Sequence, residues 1–264
     1  MLKHRLFSDR TLFLTDLDST LIWSHRHEQP SDCVWVEELN GRQQSFMTAA
    51  SYRYFLRQKQ YAVVPVTTRD QAQYARLQET FEKFGWNTAL ICNGAVLLHD
   101  GMEDKEWWAE SERISAHEVP HLLKLRDAAV NLVGAEAVIY VEPFFLYVRS
   151  TEVPNVYERL KAQADPQYLA VYPVAGKVCC VPQSLSKGAA AKRFLAYIGQ
   201  NGYIAAGDSA FDISLLAEAK IALYPENLRE QITESATRHF CRGHFTDEIC
   251  DYLESLQNRG TRID

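Results

Sequence analysis

Short apolar runs alternate with stretches of helical period along most of this chain. Leu12-Phe13-Leu14, Ala62 to Val66, Ala89 to Cys92, Lys177 to Val181, Tyr203 to Ala206 and Ile221 to Leu223 read as strands. Between them, about Thr48 to Gln58, Gln71 to Phe84, Ser186 to Ile198 and Phe211 to Ala219 read as helices, and Gly85 stands where a helix of left-handed C-terminal closure needs it. This alternation is the signature of a parallel α/β sheet. A polar loop occupies residues 24 to 33, and closing helices follow the last strand. The middle of the chain departs from the pattern, with an apolar run Ala95 to Leu98, a turn His99-Asp100-Gly101 and a helix near Val119 to Val133. Strand runs Ala137 to Tyr140 and Phe144 to Arg149, a helix from Pro154 and a run Tyr168 to Val174 follow. The expectation is an α/β fold in which a doubly wound parallel sheet, residues 1–98 and 179–264, carries an inserted smaller α+β domain, residues 99–178. No internal repeat or low-complexity linker interrupts it.

Composition narrows the function classes. With 264 residues, 47% apolar and 11% aromatic, the chain can bury one large core or two modest ones and lies far from the disordered class. Lys and Arg number 28 against 34 Asp and Glu, a net charge of -6 with no basic stripe, which argues against a nucleic-acid partner. No apolar stretch of signal-peptide or membrane-spanning length (about 18 residues) occurs, so a soluble, cytoplasmic protein without a membrane partner is expected. The six cysteines (33, 92, 179, 180, 241 and 250) show no C-x-x-C spacing, and Cys179 and Cys180 would face opposite sides of a strand, which fits reduced, mostly buried thiols.

Two of the expected strands end in carboxylates. Leu12-Phe13-Leu14 leads into Thr15-Asp16-Leu17-Asp18-Ser19-Thr20, and Tyr203 to Ala206 leads into Gly207-Asp208-Ser209, with Asp212 just beyond. Open α/β sheets bind ligands outside the carboxyl ends of their strands, so Asp16 and Asp208 share one crevice. Crowded carboxylates repel, and a hard cation with oxygen ligands such as Mg²⁺ offsets that repulsion; a metal-dependent phosphoryl-transfer site is the leading reading. Thr67-Thr68-Arg69-Asp70 brings hydroxyls and backbone N–H donors suited to phosphate to the same sheet edge. Lys187, opening a helix, can pair with phosphate or with a nucleophilic carboxylate.

The order Asp16-x-Asp18-Ser19-Thr20, Thr67-Thr68-Arg69, Lys187, Gly207-Asp208-Ser209-x-x-Asp212 resembles the four motifs of the haloacid dehalogenase (HAD) superfamily. The long insertion and Cys92-Asn93-Gly94-Ala95 resemble the branch with an α/β cap between motifs two and three. That branch includes Cof-type sugar phosphatases, sucrose- and trehalose-phosphate phosphatases and phosphomannomutases. The resemblance implies a Rossmann-like core, Asp16 as nucleophile and Asp18 as general acid and base. It implies Mg²⁺ held by Asp16, the Asp18 carbonyl and Asp208, with Asp212 supporting it through a water, and phosphate held by Thr67 and Lys187. Two positions differ from the family pattern: Phe211 stands where Asn usually precedes the final Asp, and Thr68 replaces the Gly of Thr-Gly-Arg.

Each element also has a structural reading. A lone D-x-D caps helices and lines turns, Thr67 alone is an ordinary cap, and Lys187 alone a solvated helix residue; their specificity comes from the set. His25 and His27 have metal-like alternation, but loop histidines are mostly solvated and they are not assigned as ligands. Trp107-Trp108, Phe144-Phe145 and Tyr147 can form a sugar platform, although a small core is the favoured reading. Glu142, Arg149 and Lys177 are polar enough to face a substrate, and salt-bridged surface positions explain them equally well. The expected activity is hydrolysis of a small phosphorylated metabolite, a sugar phosphate in particular, by a monomer or homodimer. A sugar phosphomutase and a non-catalytic regulatory protein that binds a phospho-ligand are the alternatives. A nucleotide-sugar transferase leaves Lys187 and Gly207-Asp208-Ser209 without tasks.

Overall fold

The computed structural model describes residues 7, 10–141, 143–174, 176–232, 237–241 and 244–259. The chain opens with β1 (Thr11–Thr15), β2 (Trp23–Ser24), β3 (Val34–Leu39), β4 (Arg42–Met47), α1 (Ala49–Arg57), β5 (Tyr61–Pro65), α2 (Gln71–Ala75), α3 (Gln78–Phe84), β6 (Thr88–Ile91) and β7 (Val96–His99). The middle adds β8 (Met102–Glu103), α4 (Lys105–Ser115), α5 (Val119–Val133), β9 (Val138–Val141), β10 (Phe145–Arg149), α6 (Val153–Gln163), β11 (Leu169–Val174) and β12 (Lys177–Pro182). It closes with α7 (Lys187–Ile198), β13 (Ile204–Ala206), α8 (Ile213–Ala217), β14 (Ile221–Pro225), β15 (Thr237–Cys241) and α9 (Phe245–Asn258).

The central sheet is parallel throughout, in the order β15-β14-β13-β1-β5, and a parallel bridge from Val66 to Leu90 leads on to β6. β1, β5, β13 and β14 are buried on both faces because both faces are covered. Leu12 and Leu14 of β1 join a buried cluster with Ala190, Phe194, Leu215 and Leu216 of α7 and α8, whereas Phe13 joins Phe55, Ile249 and Leu253 of α1 and α9 on the other side. The doubly wound α/β architecture is thus as expected. Helix ends follow local chemistry: the Thr48 hydroxyl accepts from the Ser51 N–H at 3.1 Å to start α1, and Gly85 closes α3 at φ 76.

A second sheet is antiparallel, in the order β11-β12-β10-β9. Helices α5 and α6 cover one face, where Leu122, Leu125, Val156 and Leu160 bury Leu146, Val148, Val178 and Cys180. The alternate residues Phe145, Tyr147, Cys179 and Val181 face the body of the molecule and belong to its main cluster. Cys179 and Cys180 therefore lie on opposite faces, and both are free thiols.

Five stretches differ from the sequence reading. Residues 71–84 form two helices, and the break at Arg76-Leu77 lets Leu77 be fully buried while Arg76 reaches Glu37. A hairpin, β3–β4, follows the polar loop, turning at Asn40 (φ 53) and Gly41 (φ 73), two left-handed residues that match the twist of paired strands. Helix α4 rests on the parallel-sheet unit: Trp107 donates from Nε1 to the Gly94 carbonyl at 3.1 Å and packs on Phe194. β12 pairs only into the antiparallel sheet, so the expected division at 178/179 falls inside a strand. A fifteenth strand, β15, also stands where closing helices were expected.

Candidate active site

β1 ends at Thr15, and the Asp16 N–H donates to the Ala206 carbonyl of β13 at 2.9 Å, which fixes the nucleophile candidate against the neighbouring strand. The chain then turns tightly. Thr20, Leu21 and Ile22 all donate backbone N–H groups to the Leu17 carbonyl, and Ser19 adopts φ 62. This turn sets Asp18 apart from Asp16 instead of beside it on an extended strand. It also lets the Thr20 hydroxyl donate to Asp208 Oδ1 at 3.0 Å.

Lys187 is the hinge of the site. The side chain is 1% exposed, and its Nζ donates to Asp16 Oδ1 at 2.6 Å and to Asp212 Oδ1 at 2.7 Å. The Ser186 hydroxyl caps the helix immediately before it, accepting from the Ala189 N–H. The other oxygen of Asp212 accepts from the backbone N–H groups of Asp208 and Ser209, at 3.2 and 3.0 Å, and from the Ser209 hydroxyl at 2.8 Å. Gly207 is required by this loop, since a Cβ there would lie 2.3 Å from the Asp212 Cβ. Carboxylate oxygens of Asp16, Asp208 and Asp212 lie within 4.8 Å of one another, the one such His, Cys, Asp or Glu cluster among the described residues.

Burial and crowding shape the charges. Burial pushes the Asp16 pKa well above the usual carboxylate value; Lys187 opposes this, while Asp212, Asp208 and Asp18 add to it. Asp208 is pushed up to about 6 by burial and by Asp212, against the Thr20 hydrogen bond and Lys187. Burial acts to discharge Lys187, but the Asp16 and Asp212 carboxylates outweigh it and hold the ammonium charged. Three carboxylates whose oxygens lie this close together suit a hard divalent cation, so the residues present fit Mg²⁺.

Asp18 is held from another direction. Its carboxylate takes a fork from Arg69, Nε to Oδ2 at 2.8 Å and Nη2 to Oδ1 at 2.7 Å, and remains about half exposed at 53%. The same guanidinium gives a second fork to Glu37, 2.9 Å on each side. Glu37 also accepts from Arg76 at 2.7 Å and from the Ser45 hydroxyl at 2.5 Å. Glu37 points inward because β3 and β4 shift register between Trp35 and Glu37, a bulge that re-aims a side chain. Burial alone would raise its pKa; the Arg69 fork, with Ser45 and Arg76, brings it down to about 2.

A cavity of about 150 Å³ opens over this constellation, walled by Asp16, Asp18, Ser19, Thr68, Lys187, Asp208 and Ser209 from the parallel-sheet unit, with Phe211 at its side and Val174, Lys177 and Cys179 from the antiparallel sheet.

Solved structures of similar fold include sugar-phosphate phosphatases. The sucrose-phosphatase of Synechocystis sp., in complex with sucrose and phosphate, is 18% identical over 94% of this chain and 97% of that one, with a TM-score of 0.58. The trehalose-6-phosphate phosphatase of Aspergillus fumigatus is 13% identical over 97% and 96%, with a TM-score of 0.52. A HAD subclass IIB sugar phosphatase is 13% identical over 95% and 99%, with a TM-score of 0.57. The fold is the HAD fold. No protein-family model and no curated protein matches the chain.

Within this HAD fold, Asp16, Asp18, Lys187, Asp208 and Asp212 converge on one cavity or its floor. Thr67 is fully buried beneath it: its hydroxyl accepts from the Arg69 N–H at 3.2 Å, and Thr68 takes the place in the wall. His25 and His27 lie away from the acidic cluster, His25 beside the Gln44 carbonyl and His27 against Trp23. Trp107, Phe144, Phe145 and Tyr147 are all at most 8% exposed, so they fill cores and form no open platform. Glu142 lies outside the described residues. Arg149 is exposed on β10, and Lys177 reaches the cavity. Sequence reasoning missed Glu37, Thr20 as a hydrogen-bond donor to Asp208, and the grip of Arg69 on Asp18. Only Asn40-Gly41, a hairpin signal, pointed toward the strand that delivers Glu37.

Proposed function

We propose that the chain is a Mg²⁺-dependent phosphomonoester hydrolase that acts through an aspartyl-phosphate on a small sugar phosphate or related phosphorylated metabolite. The observation that carries this reading is the buried Lys187 ammonium, 2.6 Å from Asp16 and 2.7 Å from Asp212, with Asp208 within reach of both carboxylates at the end of parallel strands. An isolated ion pair needs no third acid beside it, and a phosphate site does not need a carboxylate on its cation unless that carboxylate reacts.

Lys187 holds one oxygen of Asp16 and leaves the other to attack phosphorus as the bond to the leaving alcohol breaks. Asp18, on the cavity wall, gives the alcohol its proton and then takes one from the water that releases phosphate. Thr68 faces the phosphate, and Thr67, whose hydroxyl accepts from the Arg69 N–H, supports the turn that presents it. Asp16, the Asp18 carbonyl and Asp208, with support from Asp212, would hold Mg²⁺, which would supply positive charge to the oxygens of the transferring group. The antiparallel sheet and its two helices act as the cap, which excludes bulk water from the reacting centre. Among the described residues no helix is long and apolar enough to cross a membrane, in keeping with a diffusible substrate.

The test is hydrolysis of p-nitrophenyl phosphate and of a sugar-phosphate panel, with and without EDTA. Activity that chelation abolishes and Asp16→Asn removes is the expected result. Turnover indifferent to EDTA, or surviving that substitution, rules the reading out.

A further inference from the structure

The cavity wall contributed by the antiparallel sheet carries a cation that the hydrolytic reaction, as derived above, does not use. Of the lining residues only Lys187 and Lys177 are basic, and the Lys187 ammonium is already engaged by two carboxylates. Lys177 makes no ion pair within the described residues. Its ammonium lies 5.1 Å from the centre of the Tyr147 ring, a buried aromatic face that holds the side chain by cation–π attraction without neutralising it. Arg149 is its cross-strand neighbour on β10 and sits 6.0 Å over the same ring, so a second positive charge flanks the first.

Position separates Lys177 from the phosphate machinery. Lys187, Thr68 and the aspartates stand at the edge of the parallel sheet, whereas Lys177 begins β12 and shares its wall with Val174 and Cys179, the side left for the alcohol portion of a phosphomonoester whose phosphate lies at the aspartates. The floor carries Asp16, Asp18 and Asp208, a field that repels any further negative charge on the substrate. An unpaired, half-buried ammonium above that floor offsets the repulsion locally and favours ligands with an anion at the far end. For a neutral sugar the same wall needs hydroxyl or amide groups, and Val174, Cys179 and Phe211 supply none.

We propose that Lys177 forms a subsite for a second anionic group, so that the preferred substrates are phosphomonoesters whose alcohol portion carries a carboxylate or a second phosphate. This rests on the hydrolase reading above and goes further, since it selects among phosphorylated metabolites by charge.

The experiment compares kcat/KM within matched pairs: glucose 6-phosphate against 6-phosphogluconate, glycerol 3-phosphate against 3-phosphoglycerate, and fructose 6-phosphate against its 1,6-bisphosphate. The wild-type protein should favour the more anionic member by about 10-fold or more, the scale of one hydrogen bond to a charged group. Lys177→Gln should collapse that ratio by about 10-fold while Lys177→Arg preserves it. The first two pairs report a carboxylate and the third a phosphate. A ratio unchanged by Lys177→Gln overturns the proposal. So does an equal loss on both members, which would make Lys177 a ligand of the transferring phosphate. If p-nitrophenyl phosphate is not turned over at all, the hydrolase reading falls. Calorimetric titration of the same pairs against wild-type protein and Lys177→Gln then decides the subsite by the same ratio of affinities.

Discussion

Replacing Glu37 by Gln tests how the general acid/base candidate is held. The substitution keeps the shape and removes the charge that faces Arg69 and Arg76. The Glu37 side chain is 2% exposed, so solvent screens the interaction little. Its pKa falls from the ordinary 4.5 to about 2 in the folded protein, and with about 1.4 kcal/mol for each tenfold change in proton affinity this corresponds to about 3 kcal/mol of stability. The range for breaking a buried ion pair from one side, about 3–5 kcal/mol, agrees; the lower end applies because Arg69 keeps its fork to Asp18. Because the folded value is depressed, the contribution is complete above about pH 4.5 and is lost as pH falls through about 2. Urea titrations of wild type and Glu37→Gln should therefore differ by about 3 kcal/mol near neutral pH, with the gap closing as the solution approaches pH 2. A gap below about 1 kcal/mol at neutral pH, the level of an exposed pair, or one that does not narrow in acid, refutes the assignment of Glu37 as the anchor of Arg69.

Other consequences can be read in the same way. In metal-free protein the Asp208 pKa is raised from 3.8 to about 6, so its contribution favours the fold below about pH 4 and is lost as pH rises through 6; Mg²⁺ at a hundredfold excess over Kd should raise the melting temperature by roughly 5–10 °C at about pH 8 and by much less at about pH 5. An equal rise at both pH values contradicts this. Lys187→Met leaves Asp16 and Asp212 buried without their cation, and should abolish turnover and lower stability by roughly 3 kcal/mol at neutral pH, less in acid as the carboxylates protonate; retained activity would show that the ammonium is dispensable. Phe211 packs 4.3 Å from the Tyr172 ring of β11, so Phe211→Ala should cost about 3 kcal/mol and speed amide exchange along β11, whereas unchanged exchange would separate this contact from cap docking. Arg69→Lys replaces two forks by a point charge and should lower kcat more than it changes KM; a change confined to KM would place Arg69 on the substrate instead.

The parallel sheet was legible because its strands are buried on both faces, which leaves unmistakable apolar runs such as Tyr203 to Ala206, and because the chemistry sits where those runs stop. The hydrogen-bonding of the site was only half legible. Asp16, Lys187, Asp208 and Asp212 announce themselves by following strands or opening a helix, but Glu37 lies in a six-residue strand with a bulge that inverts its side-chain alternation. No period-2 reading of Val34 to Leu39 places an inward charge there. Helix α4 was hidden for a different reason: Trp107-Trp108 reads as a local aromatic cluster, and only the fold shows that Trp107 packs on Phe194, a residue far along the chain. Phe211 carries the same lesson at the site itself. Where a polar residue was expected, an aromatic one docks the loop onto Tyr172, and the metal-side contacts pass instead to Ser209 and Thr20.

Two arrangements of one design lie side by side in this site: Asp16–Lys187–Asp212 and Asp18–Arg69–Glu37, each a carboxylate proposed to react, tied to a buried cation that a second carboxylate balances. The cations differ, and the difference matches the work proposed for each acid. An ammonium takes one oxygen of Asp16 and leaves the plane of the carboxylate otherwise unclamped, which suits a nucleophile that must present a lone pair. A guanidinium takes both oxygens of Asp18, which fixes the plane of the carboxylate, while each oxygen keeps a second lone pair on a half-exposed side chain that already lines the cavity. The acid proposed to move the proton is thus oriented without being blocked. The Glu37 charge gives Arg69 a full partner on its other side, so the guanidinium stays in place when Asp18 takes up a proton. The outer carboxylates are then not redundant acids: each keeps its cation satisfied while the inner one reacts.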